Sequence, residues 1–129
     1  MIDRLPHRGR WALLDRVVQA GPTEVVTEAT FTPDAVQGHF PGDPVVPGAL
    51  LLEAVAQTLL VLSEGLGIAG RPRLAGFDRV RFLAPVVPPA TVRVELVLRG
   101  RSGAALQGDA RVLLDDVVVA TARVTGTVG

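Results

Sequence analysis

One apolar run, Val45 to Leu62, restricts the folds open to this chain more than any other feature. It approaches the length of a membrane span, yet Pro47 interrupts it and Glu53 sits near its middle. An ionised carboxylate at a bilayer centre costs about 2.5–3.5 kcal/mol even on a lenient insertion scale. The run therefore reads as a buried helix of a soluble protein. Leu and Ala dominate from Gly48 to about Gly65, and Gly65 and Gly67 stand where a C-terminal stop belongs. At 1.5 Å per residue the rod is roughly 25 Å long. Leu50, Leu51, Leu52, Val55, Leu59, Leu60 and Leu62 are spread around it, a pattern that requires enclosure on most sides.

The flanking sequence supplies strands to enclose it. Trp11 to Gln19, Thr23 to Phe31, Arg73 to Leu83, Thr91 to Arg99, Ala104 to Leu114 and Val117 to Thr125 are β-rich runs separated by Gly and Pro. Within Thr91 to Arg99, Val92, Val94, Leu96 and Leu98 alternate with Arg93 and Glu95, the mark of a strand with one buried face. Asp115-Asp116 suits a hairpin turn. One long helix with five or six strands is an α+β arrangement in which the sheet must curl around the helix. The 129 residues provide for a single domain, 1–129.

Thirteen basic and thirteen acidic residues cancel, so no global field draws the chain to nucleic acid or an anionic membrane. The basic residues are all Arg. Without cysteine there is no disulfide, no thiolate nucleophile and no sulfur-bound zinc; two histidines make a metal centre a poor expectation. The opening residues lack the apolar stretch of a signal peptide. A cytoplasmic protein without metal or cofactor is expected.

Between Pro33 and Gly48 the chain is dense in Gly and Pro, with its backbone largely fixed before folding. His39 lies in this loop, Gly48 opens the helix, and Glu53 and Gln57 share a helix face at i, i+4. These parts suit proton abstraction beside a carbonyl. His39 is a base that titrates near neutrality. Unbonded N–H groups at Gly48 can receive an oxyanion. A Glu53 kept protonated by desolvation can deliver a proton to a leaving hydroxyl, with Gln57 holding its carboxyl in place. Each residue also has an ordinary structural explanation: a loop histidine, a helix-start glycine, a buried amide, and a Glu53–Arg ion pair.

The segment Gly38-His39-Phe40-Pro41-Gly42-Asp43-Pro44, continuing through Pro47-Gly48 to Glu53 and Gln57, resembles the signature of the β-hydroxyacyl-acyl-carrier-protein dehydratases. Leu5-Pro6-His7-Arg8, Leu13-Leu14-Asp15-Arg16, Gly76-Phe77-Asp78-Arg79-Val80-Arg81-Phe82 and Pro85-Val86-Val87-Pro88 extend the resemblance over nearly the whole chain. It implies a hot-dog fold, a long helix wrapped by an antiparallel sheet. It implies a homodimer joined edge to edge, or a trimer of dimers, in which the histidine of one subunit meets the glutamate of the other. Carried over, His39 is the base, Glu53 the acid or water-orienting group, Gly48 an oxyanion donor and Gln57 a support. The partner is an acyl carrier protein bearing the substrate on its pantetheine arm.

The chain departs from that family in several places. Gly9-Arg10-Trp11 replaces an aromatic stretch, and Arg73 stands where relatives carry a tunnel-gating tyrosine. Leu83 takes the place of a basic residue, and Val87-Pro88-Pro89-Ala90 alters a Pro-Gly-Asp turn. These changes leave the acid–base pair intact but bear on the tunnel and the carrier-docking surface, and they admit a pathway-specific polyketide substrate. Arg71, Arg73, Arg79 and Arg81 are candidates to meet an acidic carrier or the pantetheine phosphate, or else form a solvated face. The alternatives to a dehydratase are a hot-dog thioesterase, with Glu53 activating water, and a non-catalytic subunit that holds acyl carriers.

Overall fold

The computed structural model describes residues 13–33, 45–68 and 72–128. Among these, six strands and one helix follow in the order β1 (Leu14–Ala20), β2 (Glu24–Phe31), α1 (Gly48–Gly65), β3 (Pro72–Phe82), β4 (Ala90–Ser102), β5 (Ala105–Leu114) and β6 (Val117–Val128). The strands form one antiparallel sheet of order β1-β2-β4-β5-β6-β3, which α1 packs against along its whole width. This is the expected α+β hot-dog arrangement.

Turn chemistry fixes the register. β5 and β6 are joined by Asp115-Asp116, with φ of 50° and 65°, so that Leu114 faces Val117. Two successive positive φ angles make the two-residue turn whose twist matches the flanking strands. β4 and β5 meet at Gly103, where φ of 56° favours glycine. The expected strand at Arg99 runs on through Gly100 and Arg101 to Ser102, past a bulge, because Ser102 still pairs with Ala105. In β4 the alternation holds: Val92, Val94 and Leu96 are buried, while Leu98, beside the bulge, is partly exposed.

The helix begins after Pro47, whose φ of −58° and ψ of 140° keep it extended. It ends as Gly65 and Gly67 suggest. Leu66 is the last half-helical residue and Gly67 takes φ of 69°. Gly67 N–H donates to the Glu64 carbonyl and Ile68 N–H to the Ser63 carbonyl, the paired bonds of a Schellman stop. Leu51, Ala54, Val55, Leu59 and Leu62 turn into the sheet against Phe31, Val94, Leu96 and Val124. A buried hydroxyl pair sets the helix's rotation. Thr58 donates to the Ala54 carbonyl at 2.8 Å, so the 2.8 Å contact between the Thr58 and Thr27 oxygens must be donated by Thr27 of β2. Enclosure covers most sides, as expected: the buried residues, from Gln57 and Val61 round to Leu59 and Ser63, take up about two-thirds of the helix circumference. Leu52, Glu53, Ala56 and Leu60 are only half-buried on the face turned from the sheet.

The outer face of the sheet carries cross-strand ion pairs. Arg16 bonds Glu28 at 2.6 Å, Arg111 bonds Glu95 at 3.1 Å, and Asp109 lies between Arg123 at 2.9 Å and Arg99 at 3.5 Å. The hydrogen bond from Arg16 holds the Glu28 carboxyl below its ordinary range, and that from Arg123 does the same for Asp109. Many of the chain's arginines are thus spent on its own carboxylates. Both sheet edges are irregular. β1 has two register shifts, and so does β3, where Arg79 adopts φ of 54° within a bulge.

Candidate active site

The N-terminus of α1 is held from both sides. Val46 N–H donates to the Val86 carbonyl at 2.8 Å, tying the approach to the helix to the segment after β3. That segment is itself pinned, since Leu83 and Ala84 both donate their N–H groups to the Val119 carbonyl of β6. Gly48 is the first residue of the helix and Leu50 N–H already bonds the Pro47 carbonyl. The N–H of Gly48 therefore has no carbonyl within the helix to receive it. Among the described residues no side chain caps this end. A donor left over at the positive end of a helix dipole is suited to receive a developing oxyanion.

About one and a half turns further in, Glu53 and Gln57 meet as the i, i+4 spacing predicts. Gln57 Nε2 donates to Glu53 Oε1 at 3.1 Å. Gln57 is fully buried, whereas Glu53 is half-buried. The other end of the amide accepts the Leu13 N–H at 3.1 Å. This second bond was not foreseeable from spacing, because Leu13 and Gln57 lie 44 residues apart. It settles the amide's orientation: with Oε1 taken by a backbone donor, Nε2 must point toward the carboxyl. The chain preceding β1 thereby positions the carboxyl through Gln57.

His39 lies outside the described residues, as do His7, Arg71 and most of the Gly- and Pro-dense loop. Glu53 and Gln57 are brought together, Gly48 stands at the head of the same helix, and the imidazole's place relative to them is not described. A cleft of about 340 Å³ opens beside the helix start, walled by Val45, Val46, Gly48, Leu51 and the segment from Phe82 to Val86. The side chains lining it are all apolar. It is not the carboxyl's own surroundings: Glu53 lies two residues beyond Leu51, about 200° around the helix. The cleft and the carboxyl share only the helix N-terminus. Among the described residues no group of His, Cys, Asp and Glu has the spacing to hold a metal ion.

Residues 5–123 match the FabA-like domain. The chain belongs to the FabA-like family. Among FabA-like relatives, the 3-hydroxyacyl-[acyl-carrier-protein] dehydratase FabZ of Syntrophobacter fumaroxidans is 36% identical, covering 97% of this chain and 88% of that one. The FabZ of Thermus thermophilus is 38% identical over 95% and 87% of the two chains. That of Myxococcus xanthus is 34% identical over 99% and 88%. These FabA-like relatives are hydro-lyases by name. In fold, the dehydratase heterocomplex ApeI:P from Xenorhabdus doucetiae superposes with a TM-score of 0.83 over 99% of this chain and 90% of that one, at 20% identity. The PaaI protein of E. coli superposes with a TM-score of 0.73, covering 86% and 80%, at 16% identity. Both likenesses concern the hot-dog architecture alone.

Proposed function

We propose that this chain removes water from (3R)-hydroxyacyl groups carried on acyl carrier protein, giving the trans-2-enoyl thioester. His39 takes the proton next to the thioester carbonyl, the Gly48 N–H receives the oxyanion, and Glu53 protonates the departing hydroxyl. Gln57 keeps the Glu53 carboxyl aimed. Hydration of the enoyl thioester is the reverse of the same steps. No metal or redox group enters these steps; the pantetheine arm arrives with the substrate.

The observation that carries this reading is the Leu13–Gln57–Glu53 relay below an uncapped helix start, in a chain of the FabA-like family. A carboxyl held by a fully buried amide on a largely apolar helix is a preorganised acid, since the amide's rotamer is locked by its backbone partner. The second copy needed to bring His39 to Glu53 is part of the proposal. β3 is an edge strand of the sheet, with Leu74 and Phe82 about half exposed along it, and an edge of that length suits pairing with a second copy. Glu53 lies on the helix face turned from its own sheet, which supports a shared site. Arg73, Arg79 and Arg81 lie exposed on β3 with no ion pair to a carboxylate among the described residues; they are proposed to meet an acidic carrier. A cytoplasmic setting goes with this reading.

The test is ultraviolet loss of the enoyl chromophore when purified protein meets a trans-2-enoyl thioester. His39→Ala and Glu53→Gln, each confirmed folded by circular dichroism, should lower the rate by about 10²-fold or more, the usual worth of a general acid or base. Full activity in both variants would overturn the residue assignment. Thiol release without enoyl chemistry would replace dehydration by thioester hydrolysis.

A further inference from the structure

A side chain at position 48 would displace the ring of Phe82. A β-carbon on Gly48 would stand 2.5, 2.7 and 2.9 Å from Cζ, Cε1 and Cε2 of the Phe82 ring. Gly48 is not among the residues with positive φ, so its backbone would accept any residue. What glycine permits here is the close approach of the ring. Phe82 is the last residue of β3 and is 53% exposed, so it presents one face to the helix start and the other outward. The residues after it are fixed by the Leu83 and Ala84 bonds to Val119, and the residue two before Gly48 by the bond from Val46 to Val86. The ring is therefore delivered to the first turn of α1 by two anchored backbones. With Val45, Val46, Leu51 and Val86 it gives the cleft on that side of the helix end its apolar walls.

We infer that Phe82 is a positioning residue, whose ring screens the Gly48 end of α1 from water so that the N–H there acts on an oxyanion in a dry setting. The inference rests on the dehydratase reading for its catalytic consequence, although the screening itself does not. Charge–dipole attraction is weakened several-fold by water at the donor, and a fixed donor is most effective where water is excluded. An aromatic face on the Cα of the first helical residue blocks approach of solvent from one side without offering any competing hydrogen-bond acceptor. The same contact explains why the residue bearing the donor is glycine: a side chain would push the ring off.

The experiment compares Phe82→Ala, Phe82→Leu, Gly48→Ala and the double variant Gly48→Ala/Phe82→Ala. Two readouts are taken: steady-state hydration of an enoyl thioester, and hydrogen exchange of the Gly48 amide in the free protein. Removing a whole oxyanion donor costs about 10²–10³ in kcat, so weakening one should lower kcat by about tenfold in Phe82→Ala, with KM within about twofold. Phe82→Leu, which restores an apolar cover, should recover most of the rate. Gly48→Ala should lose as much, and the double variant should be no worse than Phe82→Ala, because its methyl group then meets no ring. Exchange of the Gly48 amide should speed up on removal of the ring. Unchanged exchange, an unchanged kcat in Phe82→Ala, or losses that multiply in the double variant would each overturn the inference. A wild-type protein with no enoyl turnover would instead remove the dehydratase reading, while amide exchange would still decide whether the ring screens the helix end.

Discussion

Replacing Gln57 by leucine tests the relay at the centre of the site. The amide is fully buried, and its bonds include one accepted from the Leu13 N–H and one donated to Glu53, both at 3.1 Å. Leucine fills nearly the same space but can neither accept nor donate. The Leu13 N–H then loses its acceptor in a half-buried setting, which costs about 1–3 kcal/mol, and the carboxyl loses a bond of similar worth. Leucine's own apolar burial returns part of this, leaving a net loss of about 2 kcal/mol. For a chain of this length each kcal/mol moves the melting temperature by roughly 3–5 °C, so the midpoint should fall by roughly 6–10 °C. Loss of the Gln57 bond to the carboxyl should also lower the enoyl hydration rate by about tenfold or more, since small misplacements of a reacting group are costly. Differential scanning fluorimetry and the hydration assay on the same samples give both values. A Gln57→Leu protein that melts with the wild type and turns over at its rate would refute the argument that Gln57 holds the site together.

Thr58→Val strands the buried Thr27 hydroxyl and should cost about 1–3 kcal/mol in chemical denaturation. The double variant Thr27→Val/Thr58→Val should lose less than the sum of its singles, and strict additivity would count against the hydroxyl pair. In the β5–β6 turn, Asp115→Asn/Asp116→Gly should stabilise by about 0.5–1 kcal/mol, because both positions hold positive φ that Asn and Gly adopt more readily. A lower melting temperature there would contradict the turn geometry. Asp109 is held below its ordinary range first by the hydrogen bond from Arg123, so its stabilisation is present above the unfolded carboxylate range and is lost as pH falls through the folded value. With its side chain 49% exposed, the effect is screened to about 0.2–1 kcal/mol. Asp109→Asn should therefore melt slightly below wild type at neutral pH and together with it in strong acid; a gap that persists in acid would be inconsistent with this.

The helix was legible from Gly48 to about Gly65, because a proline precedes it and Gly65-Leu66-Gly67 marks its stop. Strand alternation gave the buried face of β4 for the same local reason. Its length was less clear, since Arg99-Gly100-Arg101 carries the residues of a turn while the backbone goes on pairing to Ser102. Glu53 and Gln57 were recognisable as a pair from helical spacing. The Leu13 bond to Gln57 and the Phe82 contact with Gly48 were not, because each joins segments far apart in sequence and neither leaves a periodic trace. A glycine at a helix start with no turn to explain it was the available signal for the second. Enclosure of α1 on most sides followed from its composition; which strip stays half-buried, at Leu52, Glu53, Ala56 and Leu60, did not, because composition does not say which neighbour covers each side.

The bulged margin formed by β3 has a bearing on how this protein must be handled. Along its eleven residues, the alternate ones that turn their backbone donors and acceptors away from β6 have no strand of the same chain beside them among the described residues. If another molecule completes that flank, resistance to heat will rise with protein concentration, since association draws on the folded form alone. If none does, the kink at Arg79 is what keeps the flank from templating disordered aggregates. Dilution series of the melting midpoint distinguish these two outcomes.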